Sequence, residues 1–108
     1  MTCRRRYTFT YPDTWDRGGY SKILDQLQKA CDQHWWFSSP TVGGEEDSTL
    51  VFGFVAAGRD KWWVHHRAME LAVDCFYTVG LNEASVPYPE WEKLAPHTNR
   101  GRYRTPAQ

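Results

Sequence analysis

No stretch of the 108-residue chain approaches the roughly 18 consecutive apolar residues of a membrane-spanning helix; the longest apolar run is Leu50 to Ala57. No charged-apolar-small leader opens it either, which points to the cytoplasm and away from a membrane partner. Net charge is also missing. Thirteen Lys and Arg balance thirteen Asp and Glu, so whole-molecule electrostatics recommends neither nucleic acid nor an acidic surface. Cysteine is scarce and lacks metal spacing. Cys3, Cys31 and Cys75 are an odd set without CxxC, which favours free thiols in a reducing compartment over a disulfide framework or zinc knuckle.

Catalytic signatures are absent as well. His65 and His66 are adjacent on a predicted helix and cannot share a face, and no i,i+4 histidine pair exists, so no metal site is assigned. Cys75 and His65 lie ten residues apart on that helix, about 15 Å, too far for a nucleophile and its base. Glu45-Glu46-Asp47 reads as a solvated turn. No catalytic residue and no cofactor is named, and the balance leans away from an enzyme without closing that door.

Aromatic residues are what the chain has in excess. Six Trp, six Tyr and five Phe exceed the needs of a small core, so some should reach the surface, where they serve as binding anchors. Arg6 to Tyr11 alternate polar and aromatic residues at the period of a strand, which Pro12 ends. Tyr20, Ile23, Leu24, Leu27, Ala30, Cys31 and His34 repeat at three- and four-residue steps, the mark of an amphipathic helix. Residues 35–42 read as a second strand and Leu50 to Ala57 as a third. Asp60 should open a second helix with Val64, Ala68, Leu71, Ala72, Cys75 and Val79 inward and Gly80 as its left-handed stop.

The fourth strand has two candidates, Ala84 to Tyr88 and Arg102 to Thr105, while Glu90 to Leu94 reads as a helical turn. Residues 1–96 form one domain in this reading, and 97–108 an exposed basic tail. Strand, helix, strand, strand, helix, strand is the order of the α+β ferredoxin-like βαββαβ sandwich, two helices on one face of a four-stranded antiparallel sheet. The expectation includes central first and third strands running parallel, with both helix N-termini at one end.

That shared end would gather Arg17, Gly18, Gly19 and Lys22 with Arg59 and Lys61 as an anion site. Arg4, Arg5 and Arg6, with Arg100, Arg102, Tyr103 and Arg104, form terminal clusters suited to nucleic-acid phosphates. The second helix is apolar nearly all round. Trp62, Trp63, Met69 and Tyr77, rimmed by Arg59 and Arg67, read as an interface for another protein or a second copy, unless the C-terminal segment folds back over them.

Phe52-Gly53-Phe54-Val55 resembles the middle of the RNP1 string of RNA recognition motifs, and the resemblance implies aromatics stacking bases on an open sheet face. Leu50, Val51 and Ala57 depart from that string. Strand parity sets the competing placement: with Tyr7, Phe9 and Tyr11 on the core side, Phe52 and Phe54 are read as core. The leading functional reading is a non-enzymatic regulator or inhibitor, of the kind phages and mobile elements carry, docking an aromatic-rich surface onto another macromolecule. The alternatives are an RNA- or DNA-binding module and a small anion-binding enzyme or sensor.

Overall fold

A computed structural model describes residues 3–11, 19–46, 49–81 and 83–95. The chain runs β1 (Cys3–Tyr11), α1 (Gly19–Gln33), β2 (Phe37–Glu46), β3 (Thr49–Gly58), α2 (Lys61–Tyr77), a 3-10 turn (Glu83–Ser85) and β4 (Glu90–Leu94). The four strands make one antiparallel sheet in the order β2-β3-β1-β4, and the two helices make the fold α+β. Among the described residues no helix is long and apolar enough to cross a membrane.

Alternation of side chains along each strand sorts the sheet into two faces. Tyr7, Phe9 and Tyr11 of β1 stand opposite Phe54, Phe52 and Leu50 of β3. Phe9 and Phe52 both meet Phe76 of α2, which places this aromatic layer under the helices. Ile23, Leu27 and Ala30 of α1 and Val64, Ala68, Leu71, Ala72 and Cys75 of α2 complete the core. Phe52 and Phe54 are therefore core residues. The opposite face carries Arg4, Arg6, Thr8 and Thr10 of β1 beside Val51, Gly53, Val55 and Ala57 of β3, and among the described residues no aromatic joins them. The base-stacking platform implied by the RNP1 resemblance is not built.

The central strands differ from expectation. β1 and β3 run antiparallel, with Cys3 opposite Gly58 and Tyr11 opposite Leu50. The physical reason is the hairpin: β2 returns through a turn into β3, which slots between β1 and β2 and opposes both. Each helix starts where its preceding strand ends, so α1 and α2 start at opposite ends of the sheet.

The fourth strand also differs. It is Glu90–Leu94, the segment expected as a helical turn, while Ala84 lies in the 3-10 turn. Pro87 and Pro89 cannot donate to a ladder, so pairing begins beyond them. Charge and ring contacts then hold the register: Arg6 faces Glu92 with an ion pair at 3.9 Å, and the Arg5 guanidinium lies 3.7 Å over the Trp91 ring. The alternative strand at Arg102 to Thr105 and the tail from 97 onward lie outside the described residues.

α2 begins and ends as its sequence prescribes. Asp60 Oδ1 accepts from the backbone N–H of Trp62 at 3.0 Å and of Trp63 at 2.9 Å. Gly80 takes φ +87°, the left-handed conformation that favours glycine, and Leu81 N–H then reaches Phe76 O at 3.1 Å.

The face assignment is checked by a pair of substitutions. Phe9→Ala empties a buried site between Phe52, Phe54 and Phe76 and should cost about 3–5 kcal/mol in urea unfolding. Thr10→Ala, on the exposed side of the same strand, should stay within about 0.5 kcal/mol of the parent. The reverse ranking would put the aromatic face of β1 outward.

Candidate binding site

Two tryptophan pairs meet at one end of the molecule. α1 ends with His34 N–H on Ala30 O at 2.9 Å, and Trp35 and Trp36 form the turn into β2, where Ala57 N–H donates to Trp36 O at 2.9 Å. This turn sits beside the end of β3, where Gly58 and Arg59 lead into α2 with its own pair, Trp62 and Trp63. The Trp63 ring lies so close over Gly58 that a Cβ there would collide with it. Glycine is what lets the indole press onto the strand end.

The rings are ordered. Trp35 and Trp63 lie nearly parallel, at 16°, with centroids 6.5 Å apart. Trp36 stands across both, at 84° to Trp35 and 80° to Trp63. On its other contacts Trp36 stacks on His34 at 4.5 Å, and the Arg67 guanidinium lies 5.5 Å from the Trp36 ring and 5.2 Å from that of Trp63. Arg67 is in turn held by Glu70 at 2.9 Å. A recess of about 360 Å³ opens between Trp35, Trp63 and the Gly58-Arg59-Asp60 loop. Trp35 and Trp62 are each 74% exposed, an apolar area that stable folding does not use. Lys61 Nζ lies 5.2 Å over the Trp62 ring.

The expected interface residues divide. Trp62, Trp63, Arg59 and Arg67 belong to this end. Met69 is half-buried and packs against the core, and Val86 of the C-terminal segment also packs there. Tyr77 is 69% exposed, but it lies fifteen residues along α2 from Trp62, about 22 Å of helix. The fold-back thus covers part of α2 and leaves both its ends bare.

The expected anion site is not assembled. Gly19 and Lys22 lie at the start of α1, beside Tyr11, whereas Arg59 and Lys61 lie at the opposite sheet end, beside Cys3. Arg17 and Gly18 fall outside the described residues. The N-terminal arginines do not form a single basic patch, because alternation sends them to two faces, and β4 with the residue after it engages all three. Arg4 donates to Ala95 O at 3.1 Å, Arg5 stacks on Trp91 and Arg6 pairs with Glu92. Arg100, Arg102, Tyr103 and Arg104 lie outside the described residues.

A second cluster joins β1, α2 and β4. Arg5 Nη1 donates to Tyr7 Oη at 3.4 Å, and Tyr7 Oη lies 3.2 Å from His65 Nδ1. Burial lowers the His65 pKa below its ordinary 6.5, and the Arg5 charge lowers it further. The imidazole is therefore neutral at pH 7, and the Tyr7 hydroxyl pairs with Nδ1 as donor or acceptor according to the tautomer. Burial raises the Tyr7 hydroxyl, with Arg5 opposing. The three cysteines are free thiols, and burial pushes Cys31 and, far more, Cys75 upward, away from the thiolate. Among the described residues no group of three or more His, Cys, Asp or Glu is placed to hold a metal ion.

Trp35 and Trp36 are the functional candidates that sequence reasoning missed, since residues 35–42 read as strand. The signal was the repeated Trp-Trp dipeptide, one after the end of the first helical pattern and one at the start of the second, which antiparallel central strands bring together. Neither a family model, nor a curated protein, nor a solved structure matches the chain.

Removing the cap with Asp60→Ala should cost about 1 kcal/mol in chemical unfolding, because two N–H groups lose their acceptor. For His65, the folded pKa lies below the unfolded one, so below about 6.5 the unfolded chain binds the proton first and acidification removes stability. An NMR titration should place its midpoint below 6.5, and Arg5→Gln, which removes the neighbouring positive charge, should move that midpoint up. His65→Gln should flatten the acid limb of a melting-temperature profile. A midpoint unmoved by Arg5→Gln would contradict the part given to the Arg5 charge.

Proposed function

We propose that the chain is a ferredoxin-like binding protein that meets another macromolecule through its tryptophan-rich end. The architectural half of this reading is supported by the element order, by the sheet order β2-β3-β1-β4 and by the aromatic layer that seats both helices on one face. The functional half rests on one observation: Trp35 and Trp62 are each 74% exposed within a few residues of the recess formed with Trp63. Large aromatics left in water by a fold that buries Tyr7, Phe9, Tyr11, Phe52, Phe54 and Phe76 are poor economy for stability and good anchors for a contact. Arg59, Lys61 and Arg67 around them supply the polar rim that such contacts carry.

A protein of this kind acts by covering a surface of its partner, which suits a regulator or inhibitor. The interface expected along α2 becomes an interface at its N-terminal end, with Trp35 added and Tyr77 set apart.

Photo-crosslinking tests the location. Benzoylphenylalanine placed at Trp35 or Trp62 in the native cells should give a discrete adduct, whereas placement at Gln28 or Lys29, on the exposed face of α1, should not. Mass spectrometry then tells a second copy, another protein and nucleic acid apart. Equal yields from both faces, or none from Trp35 and Trp62, would sink the reading.

A further inference from the structure

We infer that the recess between α2 and the segment before β4 takes Arg102 and Arg104 of this chain's own C-terminal segment. The inference is independent of the tryptophan-rich end. The recess measures about 500 Å³, with Met69, Val73 and Val86 half-buried on its walls and Glu70, Asp74 and Glu83 exposed around them. Apolar walls under an acidic rim suit a guest with an aliphatic stem and a cationic tip, which describes an arginine or lysine side chain. Among the described residues Asp74 and Glu83 have no cationic partner, whereas Glu70 is matched by Arg67 at 2.9 Å and approached by His66 at 3.4 Å. Burial raises the Asp74 carboxyl above its ordinary range, and the Glu70 charge raises it further. A cation set between the two carboxylates offsets that repulsion.

Exit point and chain length choose the occupant. Arg4 Nη1 donates to the carbonyl of Ala95 at 3.1 Å, which fixes where the chain leaves β4. Val86 stands nine residues before Ala95 and Arg104 nine residues after it, so a return of equal length brings Arg104 back to the recess. Residues 96–108 lie outside the described residues; their sequence holds Arg100, Arg102 and Arg104 and no carboxylate side chain. Arg4, Arg5 and Arg6 are already engaged at β4 and Ala95. Spacing then agrees with charge. Alternate residues of an extended chain stand on one side about 6.6 Å apart. Glu70 and Asp74, one turn apart on α2, are separated by about 6 Å of rise. Arg102 and Arg104 fit that interval with Tyr103 turned away. Exposed ion pairs are individually weak, but the tether holds these at an effective concentration on the order of millimolar.

The test places benzoylphenylalanine at Tyr103 of the full chain, which keeps every charge, and maps the photo-adduct by mass spectrometry at about 50 mM and about 500 mM salt. The adduct should join Tyr103 to residues 66–86 of the same chain. Its yield should fall about threefold or more at the higher salt, and by a similar factor in Asp74→Asn with Glu83→Gln. Arg102→Gln with Arg104→Gln, which leaves the described fold untouched, should lower the yield as far. In the chain without the probe, trypsin should cut after Arg102 and Arg104 more slowly at the lower salt than it does in Asp74→Asn with Glu83→Gln.

Circular dichroism of each variant confirms that it is folded. No adduct, an adduct confined to residues outside the recess, or a yield indifferent to both salt and the arginine pair would each overturn the inference. An adduct that joins two chains overturns it as well, because the occupant is then a second copy. Crosslinking from Trp35 and Trp62 is read separately, so the fate of the tryptophan-rich end and that of this recess are decided by different adducts.

Discussion

The antiparallel pairing of β1 with β3 is the constraint from which the rest of the molecule follows. It sets Tyr7 against Phe54 and Phe9 against Phe52, so the aromatics of two strands fall into one layer, with Phe9 and Phe52 at 5.4 Å and Phe9 and Phe54 at 5.9 Å. Phe76 then stands edge-on to both Phe9 and Phe52, which locks α2 over the centre of that layer. A slip of one residue would turn the whole layer to water, so the register is strongly held.

The same pairing decides what meets at the ends of the sheet. With β1 and β3 opposed, the start of α2 lies beside the end of α1, and two Trp-Trp dipeptides far apart in sequence become one cluster. Parallel central strands would have gathered the cations at the two helix starts instead. One geometric fact thus dissolves the expected anion site and creates the tryptophan cluster. Arg59 and Lys61 belong to both schemes, but their neighbours change from glycines and lysine to indole rings.

Basic residues show how tertiary context reassigns a motif. Arg4, Arg5 and Arg6 look like a phosphate-binding cluster when read in a row. On a strand they alternate between faces, and β4 with the residue after it takes each one through a carbonyl, a ring or a carboxylate. Their work in the described residues is to hold an edge strand whose approach is limited by two prolines. His65 and Tyr7 add a polar tie from α2 to the same edge, buried enough to keep the imidazole neutral.

Local pattern by itself determined a good deal of this protein. The period of Arg6 to Tyr11, the helical steps from Tyr20 onward, the Asp60 cap and the Gly80 stop are each written in a few adjacent residues, because strand alternation, helix periodicity and capping are short-range physics. So was the inward placing of Phe9, which carried Phe52 and Phe54 with it. Strand direction, the choice of Glu90–Leu94 as fourth strand and the division of the arginines came only with the tertiary structure, because each depends on a partner distant in sequence. The tryptophan cluster belongs to that second class. Two adjacent tryptophans announce an aromatic surplus, but the near-parallel Trp35 and Trp63 rings, with centroids 6.5 Å apart, meet only when two helix ends are brought to the same end of one sheet.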